Sequence, residues 1–116
     1  MARVQMLNIA SKLLERSRKG EVAWQKTVKD TEFIVSFPEY SFVIATIRYS
    51  DSEPDYELSL TDERGTKIES LVFRNSKEDG YQALEELFQS ARRRALGIDR
   101  RLEKALKDLE QGGLIG

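Results

Sequence analysis

Apolar residues near the start of the chain recur every three to four positions. Val4, Leu7, Ala10, Leu13 and Leu14 form one stripe, while Lys12, Glu15, Arg16 and Lys19 fall largely off it. This spacing predicts an amphipathic helix over residues 3–18. Gly20 is a natural stop, and the basic residues before it suit the negative end of a helix dipole. The same segment, MARVQMLNIASKLLERSRKG, is amphipathic, basic and poor in acids, as transit peptides are, but a first structural helix explains the pattern equally well.

The period then changes to two. In TEFIVSF, Phe33, Val35 and Phe37 alternate with Glu32, Ile34 and Ser36, until Pro38, Glu39 and Tyr40 interrupt. SFVIATIRY predicts a second strand and YELSLT a third, with Tyr56, Leu58 and Leu60 on one face. TKIESLVFR predicts a fourth, whose phase changes between Ile68 and Leu71, the mark of a bulge or an early end. TDERGT reads as a type I turn closed by Gly65 in the left-handed region. Such short connections predict an antiparallel meander in the order 1-2-3-4. The second strand is apolar on both sides: Val43, Ala45, Ile47 and Tyr49 on one, Phe42 and Ile44 on the other. Ile34 is expected to join Phe42 and Ile44 on a second face that a helix, Trp24 or another subunit covers, because a sheet with one wet side alternates more cleanly. Trp24, the only tryptophan, is expected to staple the first helix to the sheet, with an exposed anchor for a partner as the alternative.

In the last segment Tyr81, Leu84, Phe88, Ala91, Ala95, Ile98, Leu102, Ala105 and Leu109 are separated by alternating gaps of three and four. That is a heptad seam. Asp79 is a candidate cap with Gln82 completing a capping box, and Gly112-Gly113 ends the segment. The phase does not slip at Gly97, so one continuous helix is expected. The alternative is a break at Gly97 with Asp99 capping a second helix. Thirty helical residues reach roughly 45 Å, whereas a domain of this size is about 33 Å across. Leu102, Ala105, Leu106 and Leu109 therefore need cover: either the chain bends at Gly97 and the first helix covers the end, or a second copy does, and a homodimer is the expected answer. The predicted fold is α+β and two-layered: an N-terminal helix, a four-stranded antiparallel meander and a long C-terminal helix, possibly broken at Gly97, in a single domain over residues 1–116.

Composition narrows the function more by exclusion than by pointing. The chain has 116 residues, 40% hydrophobic and 34% charged, with a net charge of −1. That suits a soluble globular protein, in size and composition of a bacterial type. The near-neutral total hides a division: residues 1–20 hold five basic groups and one acid, and residues 21–80 hold seven basic groups and thirteen acids. A protein living on phosphate backbones usually shows a basic surplus. Five arginines in QSARRRALGIDRR nevertheless raise that possibility. Arg92, Arg93 and Arg94 fan over roughly 200° of a helix and cannot face one ligand. Arg93, Arg100 and Lys107 fall seven apart, opposite the apolar stripe, and are the candidate phosphate contacts of a nucleic-acid reading. A solvated helix face explains them more simply, so nucleic acid is not the expected partner.

Cysteine and histidine are both absent. Disulfides, thiolate chemistry and the commonest general base and metal ligand go with them. The cytoplasm is the default compartment, and the longest apolar run, Phe42 to Ala45, is far too short to span a bilayer. No glycine-rich phosphate loop or catalytic set is present, so no catalytic residue, metal or other cofactor is expected. DSEPDYE spaces acids at alternating positions but departs from a calcium loop, with Tyr56 in place of the turn glycine and Asp62 in place of the final glutamate. Three functions remain. The favoured one is a non-enzymatic protein-interaction or adaptor domain, homodimeric, binding itself and another protein through Ile34, Phe42, Ile44, Ile98, Leu102, Leu106 and Leu109. The alternatives are nucleic-acid binding and a small enzyme using carboxylates.

Overall fold

The computed structural model describes residues 2–48 and 52–112; Tyr49, Asp51 and Gly113 lie outside them. Along the chain come α1 (Ala2–Arg18), β1 (Gln25–Lys26), β2 (Glu32–Ser36), β3 (Tyr40–Ile47), β4 (Asp55–Asp62), β5 (Lys67–Phe73), α2 (Tyr81–Leu96) and α3 (Ile98–Glu110). The fold is α+β. Its sheet is an antiparallel meander in chain order, but with five strands rather than four. The extra strand, β1, pairs Gln25 with Ile34 and Lys26 with Phe33. Two polar residues carry no period, so nothing in the pattern announced it.

One face of the sheet holds the core. Phe33, Ile44, Leu58 and Leu71 lie in one cross-strand row. Val35, Phe42 and Leu60 lie in the next, towards the β2–β3 turn. α1 lays Met6, Ala10, Leu13 and Leu14 against these rows, and α2 adds Tyr81, Leu84, Leu87, Phe88 and Ala91. Each such burial contributes roughly 1.5–3 kcal/mol. This corrects the expected faces of β3. Phe42 and Ile44 point into the core, Ile44 with no exposure at all and Phe42 only slightly exposed. Ile34 pairs with Val43 and lies on the opposite face from them. The reason is the register with β4, which sets Ile44 against Leu58. β3 is apolar on both sides, so its own alternation could not choose.

The opposite face carries Ile34, Val43, Ala45 and Val72, all half-buried. The Lys67 ammonium reaches Glu57 at 2.9 Å, and this bridge runs along β4 and β5 past the buried Ser59 and Thr61. Lys67 opposes Thr61 while Glu69 opposes Leu60, so Ile68 is the extra residue of a bulge at the predicted phase change. The β4–β5 turn also forms as expected: the Gly65 N–H donates to the Asp62 carbonyl at 3.0 Å, and the Asp62 carboxylate accepts from the Arg64 and Thr66 N–H groups. Trp24 is buried, and its indole N–H donates to the Ser17 hydroxyl at 2.9 Å, tying α1 to the first edge of the sheet.

The helix ends differ from expectation at two places. Asp79 does not cap α2. Gly80 takes that position at φ 99°, where an added Cβ would lie 2.6 Å from the Phe73 ring. At the other end α2 stops at Leu96. Gly97 adopts φ 59° and ψ 39°, and α3 starts on a new axis. The continuous helix is therefore broken, and Asp99 is not its cap but an ion-pair partner of Arg93.

Candidate interaction surfaces

Downstream of Gly97 the chain leaves the body. α3 has no buried residue, and Leu102, Leu106 and Leu109 are each 57–59% exposed. Ile98 at the hinge is half-buried. The orientation is held locally. The Gly97 N–H donates to the Arg94 carbonyl at 3.2 Å, the Arg101 N–H donates to the Gly97 carbonyl at 3.0 Å, and the Arg101 side chain donates to the Leu96 carbonyl at 2.9 Å. The molecule is accordingly drawn out, measuring 57 by 37 by 25 Å.

A second feature lies on the body. Between the outer flank of α1 and the turn end of β2 and β3 runs a cleft of about 880 Å³. Its floor is the row Val35, Phe42 and Leu60, and its walls include Ile9, Leu13, Phe37 and Tyr40. Lys12, Arg16 and Glu21 stand at the rim. The cleft has a geometric cause. Strands of eight residues span about 27 Å, and two helices packed side by side cover about 20 Å. α1 and α2 therefore leave the turn end beyond this row open: Phe37 and Tyr40 are exposed there, while Val35 and Phe42 stay buried beneath. Phe37 and Tyr40 stack at 5.0 Å between ring centres at its end, with Phe42 edge-on to both.

The arginines collect where the C-terminal ends of α1 and α2 meet. Arg94 donates to the Gly20 carbonyl at 2.7 Å, Arg18 pairs with Glu86, and Arg93 pairs with Asp99. Arg100 lines the same shallow depression beside Arg93. Two helix C-termini present carbonyls and partial negative charge there, which cations offset. Lys107 lies on α3, past the turn at Gly97, so the seven-residue spacing of Arg93, Arg100 and Lys107 does not run along one axis.

The titrating groups whose values depart from the ordinary sit where β4 meets α2. The Tyr81 hydroxyl donates to the Pro54 carbonyl at 2.6 Å and its ring meets Tyr56 edge-on. Burial pushes both phenols up from their ordinary value. Glu53 is held below the usual carboxylate value because it accepts hydrogen bonds from the Ser76 N–H and hydroxyl. Each perturbation has a structural cause, a buried ring or a loop tied down. Among the described residues no group of three or more acids is placed to hold a metal ion. No helix among them is long and apolar enough to cross a membrane.

Of the seven residues expected at an interface, then, the three leucines of α3 are open, Ile98 is at the hinge, Ile34 lies on the outer sheet face, and Phe42 and Ile44 are interior. Phe42 also forms part of the cleft floor. Ile9, Phe37 and Leu60 were missed as surface candidates. Ile9 carries a legible signal: it is an apolar residue off the α1 stripe and four before Leu13. Phe37 reads simply as the end of an alternating strand; it keeps the core-facing side beside Phe42 but is exposed at the turn end of the sheet.

No protein-family model matches the chain, and comparison with curated proteins and with solved structures yields no match.

Proposed function

We propose that this protein is a non-enzymatic interaction or adaptor domain of the cytoplasm, which assembles as a homodimer and presents its remaining surface to another protein. The observation that carries this reading is α3. A helix that exposes three leucines at one-turn spacing, with none of its residues buried, has an apolar face that its own chain leaves wet. Leu102, Leu106 and Leu109 stand at i, i+4 and i+7, the anchor spacing of a helix that lies in an apolar groove. The absence of cysteine and histidine, and the structural origin of each perturbed acid or phenol, support a role without chemistry.

Sedimentation equilibrium of the full chain over a concentration series tests it. The expected result is a mass twice the 13.3 kDa of one chain at tens of micromolar, falling towards one chain on dilution. A species that stays at the mass of one chain throughout that range overturns the reading.

A further inference from the structure

Resting on that reading, we infer that the dimer forms by reciprocal exchange: α3 of each copy lies in the cleft between α1 and the β2–β3 turn of the other. The occupant of the cleft is a second copy of this chain, contributed through Leu102, Leu106 and Leu109.

Three observations lead there. The first is area. Leucines exposed at 57–59% offer about 60–100 Å² apiece. Two α3 stripes pressed together would bury on the order of 600 Å², short of the roughly 1,200 Å² of a stable interface. Setting each stripe against a cleft instead counts both the stripes and the two cleft linings, and comes to about 1,000 Å², much nearer that figure. The second is shape. The cleft runs beside α1 over the row Val35, Phe42 and Leu60 and ends at the exposed rings of Phe37 and Tyr40, and α3 is a helix of thirteen residues whose anchors fall on one face. The third is charge. At about 100° per residue, Glu103 and Glu110 share one flank of the leucine stripe, while Arg101 and Asp108 lie on the other. The α1 side of the cleft bears Lys12 and Arg16, the latter paired with Glu21 at 3.4 Å, so the rim keeps a net positive charge. An acidic flank against a basic rim fixes which way the helix lies.

A second copy, and not the chain's own α3, is the source. Folding α3 back would require a reversal at Gly97 alone. It would also break the Arg101 bond to Leu96 and the Arg93–Asp99 pair that hold the helix outward. Exchange keeps both, and it closes under two-fold symmetry because each copy donates what the other lacks.

The chain has no cysteine of its own, so introduced thiols report cleanly. Phe37→Cys and Leu106→Cys sit at exposed positions and leave the core intact. The two variants are prepared separately, mixed, allowed to exchange and oxidised. A covalent dimer holding one chain of each kind, formed well above either self-linked product, is the expected result. Dominant self-linking of Leu106→Cys shows that α3 pairs with α3, which overturns the exchange and leaves the homodimer standing. An internally linked monomer from a chain carrying both substitutions shows α3 folded back on itself and overturns the exchange as well. A mixture without any cross-link, in protein that sediments as a dimer, also overturns it. A monomer by sedimentation removes the underlying reading too. Charge reversal gives an independent measurement. Lys12→Glu with Arg16→Glu is expected to weaken dimerisation about tenfold or more, and adding Glu103→Lys with Glu110→Lys to restore most of it. Failure of that restoration argues against the proposed orientation of the helix in the cleft.

Discussion

α2 and α3 are written in the same three-and-four spacing, yet one is the floor beam of the core and the other stands in water. α2 buries Tyr81, Leu84, Leu87, Phe88 and Ala91. α3 buries nothing. The difference lies in a single residue. At Gly97 the backbone turns into the left-handed region, and the stripe that continues in the sequence is redirected in space. Periodicity reports that a helix has an apolar face. It does not report which surface receives that face.

The sharpest test of the contrast replaces one leucine in each helix. Leu84→Ala, at a site with no exposure, is expected to lower stability to urea by about 3 kcal/mol, through lost burial and the cavity left behind. Leu106→Ala, measured at high dilution, is expected to stay within about 0.5 kcal/mol of the parent. Comparable losses at the two sites would mean that α3 is covered after all.

The anchoring of α2 can be probed by pH. Both Tyr56 and Tyr81 are raised above their ordinary value by burial. A group raised on folding contributes stability that is complete below its unfolded value, about 10 for tyrosine, and is lost as pH rises through the folded value. Stability is therefore expected to fall above about pH 10. Tyr81→Phe should soften that fall, at a cost near neutrality of about 1 kcal/mol for the bond to Pro54. An alkaline titration followed by circular dichroism checks both. A profile in the variant as steep as in the parent would place the alkaline weakness elsewhere.

A smaller effect is expected at the junction itself. Gly97→Ala puts a side chain where φ is 59°, with only Arg100 nearby. Its loss is expected to be about 1 kcal/mol, from backbone strain and not from a clash. Urea denaturation measures it. A gain in stability would show that the straight helix is the preferred form.

Much of this was open to reading, and the failures have physical causes. α1, its stop at Gly20 and the turn closed by Gly65 followed from local chemistry, because hydrogen bonds within a few residues decide them. The bulge at Ile68 showed as a slipped phase. The faces of β3 were not legible, since Phe42 and Ile44 compete with Val43 and Ala45 and only pairing with β4 decides between them. The break at Gly97 left no trace in the spacing, because a left-handed residue occupies one position like any other. The cleft was hidden for a different reason. It is a shortfall of cover, two helices over strands that need more, and no single residue encodes a shortfall.

The borders of the sheet carry one more consequence. On one side β1 offers just two paired residues, Gln25 and Lys26, and on the other β5 is kinked at Ile68 and flanked by Lys67 and Glu69. Short, charged or kinked borders make poor templates for another strand. Two molecules meeting side by side gain little by zippering backbones, and fibrous stacking is guarded against at both rims. What remains for recognition is side-chain fit, which can be altered residue by residue without unravelling the barrier against aggregation.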